Sequence, residues 1–120
     1  MADIGVWEDA EPGVRRRILQ AQGALMLMEV QFAADAAGYE HNHVHEQISY
    51  CVTGRFEYSL DGRTHLLTQG RSIYVPSNTR QGAKALEPGT LIDVFTPVRE
   101  DLLERGQPDV TGITKNGKRG

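Results

Sequence analysis

The chain predicts an all-β barrel or sandwich, and three observations carry that expectation. Apolar residues recur at every second position in several short runs, among them Met26, Met28, Val30 and Phe32, then Ile48, Tyr50 and Val52, then Phe56, Tyr58 and Leu60. This is the period of half-buried strands, whose side chains point alternately to the two faces of a sheet. Turn signals separate the runs: Glu11-Pro12-Gly13, Asp61-Gly62, Gln69-Gly70 and Glu87-Pro88-Gly89. No stretch sustains a long helical period, and 120 residues suffice for a single core but not for two.

In chain order, residues 1–13 form a polar N-terminal arm containing Trp7, the sole tryptophan, which is expected to cap an edge of the core, with a place in the substrate pocket as the alternative. Residues 14–105 form the barrel. Arg15, Arg16 and Arg17, enclosed by Val14, Ile18 and Leu19, read as an edge strand with solvated arginines that discourage unwanted pairing. Residues 24–32 are a strand, and the small residues of 33–40 read as a loop. A strand then runs from the histidines to Gly54, which is expected to end it. Asp61-Gly62 has the chemistry of a two-residue hairpin turn. Residues 64–67, 72–75, 80–86 and 90–96 follow as short strands, the last two separated at Glu87-Pro88-Gly89. Residues 99–105 suit one or two helical turns ended by Gly106, and 106–120 lack apolar periodicity, as a mobile tail would.

Bulk properties narrow the function. A net charge of −3 and pI near 5.8 disfavour nucleic acid as the main partner, because phosphate binding needs a basic face. The single cysteine, Cys51, allows no internal disulfide and reads as strand packing rather than as a nucleophile. No apolar run approaches the roughly 18 residues that cross a bilayer, and the first residues lack the basic-then-apolar order of a secretory signal. A cytoplasmic location with no membrane partner is the expectation.

The chemistry concentrates in H-N-H-V-H-E-Q, where His41, His43 and His45 fall within five residues and Gln47 follows. Imidazoles packed so densely suit a divalent transition metal, with zinc, nickel, iron, manganese and copper not distinguished. Residues two apart on a strand share a face, so His41 and His43 are placed to converge on one ion; His45 has the same parity and is an alternative ligand. The pattern H-x-H-x3-Q-x6-G resembles the first metal motif of the cupins, with glutamine where glutamate is commoner. The second motif is matched by G-x5-P-x-N-x2-Q, from Gly70 through Pro76 and Asn78 to Gln81, where the family places a histidine. The resemblance implies a single-domain jelly-roll barrel with His41, His43, Gln47 and Gln81 around the metal. Such a shell carries no charge, so a bound ion keeps its full positive charge and favours an anionic substrate.

Alternation in L-I-D-V-F places Leu91, Asp93 and Phe95 on one face. A carboxylate inside an otherwise apolar strand is costly unless it is paired or functional, so Asp93 reads either as half of an arginine ion pair or as an acid/base group facing the metal. The runs G-R-F-E-Y-S-L-D-G, P-S-N-T-R-Q-G-A-K-A-L-E and L-I-D-V-F-T-P-V-R-E-D-L together resemble the small pectin-degradation cupins that linearise unsaturated galacturonate, over residues 14–103. The resemblance implies that Asp93, Phe95 and Arg99 serve catalysis: Asp93 moving protons, Phe95 shaping the pocket and Arg99 holding the substrate carboxylate. It implies a metal-dependent ring opening and tautomerisation of a 4,5-unsaturated uronate, in a homodimer. A cupin-type polyketide cyclase, an iron oxygenase and a non-catalytic ligand-binding cupin are the competing readings. The oxygenase fits worse, because its facial triad needs an acid where this chain has Gln47.

Overall fold

The structure is a computed structural model that describes the backbone of residues 3–41 and 44–103. The strands are β1 (Glu8–Glu11), β2 (Val14–Gln22), β3 (Leu25–Phe32), β4 (Ala37–His41), β5 (Glu46–Leu60), β6 (Arg63–Thr68), β7 (Ser72–Val75) and β8 (Gln81–Thr96), followed by one helical turn, α1 (Glu100–Leu103). The all-β expectation holds. His43 and the tail expected over 106–120 lie outside the described residues.

All pairing is antiparallel, and two long strands organise it. The first half of β5 pairs with β7 (Gln47 opposite Val75), whereas its second half pairs with β6 (Arg55 opposite Thr68). The same division appears in β8: residues beyond Gly89 pair with β3 (Val30 opposite Leu91), and those near Gln81 pair with β4. β5 and β8 pair with each other along both halves. The result is two sheets, β1-β2-β3-β8-β5-β7 and β4-β8-β5-β6, folded face to face about the shared ribbon.

That ribbon corrects two expectations. Gly54 does not end a strand and Glu87-Pro88-Gly89 is not a turn; both lie within continuous strands at the place where the ladder changes register, around Thr53 and Arg55. Strand-breaking residues are tolerated at bulges, where one residue goes unpaired and the strand bends. Here the two strands cross so closely that no side chain fits. A Cβ on Gly54, whose φ is +91°, would lie 2.7 Å from the Gly89 Cα, and a Cβ on Gly89 would lie 2.4 Å from the Thr53 carbonyl oxygen. The other turns are as expected: Asp61 and Gly62, with φ of 47° and 80°, close the β5–β6 hairpin.

The core fills the space between the sheets. Phe32 and Phe56 meet edge to face with centroids 5.0 Å apart, joined by Met26, Val75, Leu91, Phe95 and Leu102. Full burial of a side chain such as Phe56 contributes roughly 1.5–3 kcal/mol. Cys51 is part of this packing, and burial raises its thiol above the ordinary range, as suits an inert structural cysteine.

Three local expectations need correction. The expected loop over 33–40 contains β4, because Ala37 and Gly38 pair with Lys84 and Ala83. Trp7 does not cap the core: Arg15 and Arg17, two apart on β2, place their guanidinium carbons 4.4 and 4.6 Å from its ring centroid, contacts worth about 0.5–1 kcal/mol each at an exposed site. Nor are the three arginines simply solvated. Arg15 donates to Gln31 and Arg17 to Glu29 on β3, while Arg16 turns to the opposite face and donates to Glu8 on β1. Among the described residues, no helix is long and apolar enough to cross a membrane.

Candidate active site

A cavity of about 120 Å³ lies between the sheets, roomy enough for several waters. Gln47, Tyr58, Gln81, Asp93, Phe95 and Arg99 all line it. Five of the seven sequence-derived site residues are therefore gathered in one place. The other two are the histidines: His41 ends β4 with its Cα opposite that of Gln81 in the ladder, and His43 lies outside the described residues. His45 does not share a strand with His41; it lies in the bend before β5.

The alternation of β5 is present, but its sense is the reverse of a usual half-buried strand. Gln47, Ser49 and Cys51 face inward and are buried, while Ile48, Tyr50 and Val52 face outward and are exposed. The polar face is the inner one because it lines the cavity, where its groups satisfy one another. Gln81 Nε2 donates to Gln47 Oε1 at 2.9 Å, and Gln47 Nε2 donates to Ser49 Oγ at 2.9 Å and to Tyr58 Oη at 3.1 Å. Tyr58 Oη donates to Gln81 Oε1 at 2.7 Å, and Ser49 Oγ donates to Asp93 Oδ1 at 2.6 Å. The two hydroxyl oxygens are themselves 2.9 Å apart.

These bonds constrain the protons. Each hydroxyl carries one hydrogen. With Asp93 ionised, the Ser49 hydrogen is committed to the carboxylate and the Tyr58 hydrogen to Gln81. With Asp93 protonated, Asp93 becomes the donor and the Ser49 hydrogen is released toward Tyr58. The network accommodates both states by rotating one hydroxyl.

The titration of Asp93 places that change near neutrality. Desolvation by burial lifts its pKa from 3.8 to about 6, against the hydrogen bond from Ser49, the charge of Arg99 and a hydrogen bond from Gln47, which hold it down. Burial and the Asp93 charge push the Tyr58 phenol well above its ordinary range, so it remains a neutral donor. Among the described residues Asp93 makes no arginine ion pair, although the charge of Arg99 reaches it. Arg99 instead grips Asp101 through Nε at 3.2 Å and Nη2 at 2.8 Å, and lies 5.2 Å from the Phe95 ring centroid. Burial works against ionisation of Asp101, yet the Arg99 guanidinium, helped by the charge of His45, holds its carboxyl below the usual range.

The donor set suits a divalent ion that accepts neutral oxygen and nitrogen ligands. Two buried amide side chains meet in the cavity, and an amide oxygen has two lone pairs to offer. The ladder sets His41 beside Gln81. Among the described residues no group of three or more His, Cys, Asp or Glu side chains is placed to hold a metal; the His41 side chain and His43 lie outside that set.

Sequence reasoning missed Ser49, Tyr58 and Arg16. Ser49 was within reach of it, two residues after Gln47 on one strand. Arg16 was too, since it alternates with Val14 and Ile18, both buried.

Comparison with known proteins gives a consistent picture. The family model described as a cupin domain matches residues 27–95. The chain is 37% identical over 99 residues to the pectin degradation protein KdgF of Dickeya dadantii, covering 81% of this chain and 90% of that one. Among solved structures, KdgF from a Halomonas species superposes with a TM-score of 0.77 at 41% identity, over 81% of this chain and 90% of its own. An RmlC-like cupin from Shewanella frigidimarina gives a TM-score of 0.78 at 38% identity, over 84% and 94%.

Proposed function

This chain belongs to the cupin family, and from that premise we propose that it is an enzyme that opens and tautomerises a 4,5-unsaturated uronate with the help of a divalent transition metal. The single observation that carries the reading is the meeting of Asp93, Phe95 and Arg99 with Gln47 and Gln81 in one cavity. The similarity to a protein named for pectin degradation, and to a solved structure that shares the name KdgF, supports the substrate class.

His41, His43, Gln47 and Gln81 would hold the ion, which when bound supplies Lewis-acid polarisation of substrate oxygens. The remaining work falls to this chain's own side chains. The Asp93 carboxylate takes the proton of the anomeric hydroxyl; the C1–O5 bond breaks as C1=O forms, and the electron pair leaves on the former ring oxygen as an enolate. Asp93, now protonated, returns a proton to carbon 4 as the enolate becomes a ketone, so the net change is an isomerisation. A pKa near 6 suits a group that must both take and give a proton close to neutral pH. Ser49 keeps the carboxylate oriented in both states, Phe95 forms an apolar wall, and the positive charge of Arg99 steadies the developing enolate.

The test is loss of the substrate's conjugated C=C absorbance with purified protein and unsaturated galacturonate. Asp93→Asn is expected to lower kcat by about 100-fold or more, and Arg99→Ala to lower kcat/KM by at least tenfold. Unchanged turnover in both variants would overturn the assignment. We further propose that the enzyme is cytoplasmic and pairs as a homodimer; the apolar outer face of β5 supports the pairing.

A further inference from the structure

Two arginines line the cavity, and they are held differently. The Nε and Nη2 of Arg99 both face the Asp101 carboxylate, so one edge of its fork is filled. Arg16 enters from β2 with a side chain only 15% exposed. It donates through Nε alone to Glu8 Oε1 at 2.9 Å. Its Nη2 is buried and has no hydrogen-bond partner among the described residues.

A buried donor on a permanently charged group is expensive to leave unmet, and native interiors seldom do so. Waters in the cavity could serve, but a planar anion serves better, because a guanidinium presents parallel N–H bonds at the spacing of two carboxylate oxygens. We propose that Arg16 binds the carboxylate of the sugar acid and makes the cavity selective for uronic acids over their neutral counterparts. This rests on the uronate reading above and deepens it. It also reassigns a role: carboxylate capture, expected of Arg99, passes to Arg16, leaving Arg99 beside Asp93. The substrate would then lie between a recognition residue on β2 and a proton-transfer residue on β8.

The experiment is calorimetric binding of galacturonate and of its methyl ester to wild type, Arg16→Gln and Arg16→Lys, with turnover of unsaturated galacturonate measured on the same preparations. Wild type is expected to prefer the acid by tenfold or more. Arg16→Gln should lose that preference and raise KM by a similar factor while kcat stays within about threefold. Arg16→Lys, with a charge but no fork, should fall between, and it decides the matter if Arg16→Gln does not fold. An undiminished preference in the variant that folds overturns the proposal and leaves the uronate chemistry standing. An acid preference that depends on Arg16 in a protein without turnover sustains the carboxylate site and overturns the chemistry. Wild type that binds neither compound and does not turn over unsaturated galacturonate overturns both. Where it binds neither yet turns the substrate over, an unchanged KM in the Arg16 variants overturns the proposal and a raised one sustains it.

Discussion

Asp93 is the residue whose environment says most about its use. Its pKa is raised in the folded state, so between about 4 and 6 the native protein binds more protons than the unfolded chain. Stability attributable to this group therefore falls as pH rises through that window and is flat above it. In protein treated with chelator, Asp93→Asn should remove this slope and be the more stable of the two above pH 7, by roughly 3 kcal/mol at most. Thermal melts of both proteins from pH 4 to pH 8 measure it, and parallel curves would show that Asp93 titrates normally. The neighbours of Asp93 mark the limit of what residue order reveals. Ser49 shares parity with Gln47 and Asp93 sits in visible alternation, but Tyr58 has the opposite parity from Gln47. A regular strand would turn it outward with Ile48. Only the register change around Thr53 and Arg55 brings it back inside, and nothing in the local sequence fixes how many residues such a bulge absorbs.

Elements were legible in proportion to how local their causes are. The Asp61-Gly62 hairpin followed from two residues, and β3 from an unbroken alternation. β5 and β8 were each read as two strands because Gly54, Pro88 and Gly89 carry strong local signals for turns, whereas tertiary pairing keeps both strands continuous. β4 was hidden for the converse reason: its small residues have weak strand propensity, and it exists through pairing with β8. The crossing of Gly54 and Gly89 is correspondingly intolerant. Gly54→Ala forces a side chain onto a backbone with φ of +91° and into contact with Gly89, and is expected to destabilise the protein by about 3 kcal/mol or more, or to prevent folding. Denaturant melts measure it; a loss below about 1 kcal/mol would mean that the strands can separate there without consequence. Gly62, with nothing within 4 Å of its Cβ position, is the contrasting site: only its φ of +80° resists substitution.

At the scale of the whole molecule, the inversion of β5 has a second face. Ile48, Tyr50 and Val52 on β5 and Tyr74 on the adjoining β7 are 45%, 44%, 38% and 52% exposed, while Ile92 and Val94 lie beside them across the ladder from Tyr50 and Ile48. Contiguous exposed apolar patches commonly mark interfaces, and a two-fold dimer brings the same patch of both subunits together. Light scattering is expected to give twice the chain mass of 13.3 kDa, and Tyr50→Glu combined with Ile48→Glu to give a monomer. Wild type that stays monomeric at high concentration would dismiss the pairing.

The bent ribbon has one more consequence. Every member of the internal hydrogen-bond network, Gln47, Ser49 and Tyr58 on β5 with Gln81 and Asp93 on β8, belongs to those two strands. Arg16, by contrast, arrives from β2. On the proposed reading, the residue that captures the carboxylate and the network that holds Asp93 sit on different strands. Substitutions in β1 and β2 are then expected to change which acid is accepted without disturbing the hydrogen bonds between β5 and β8.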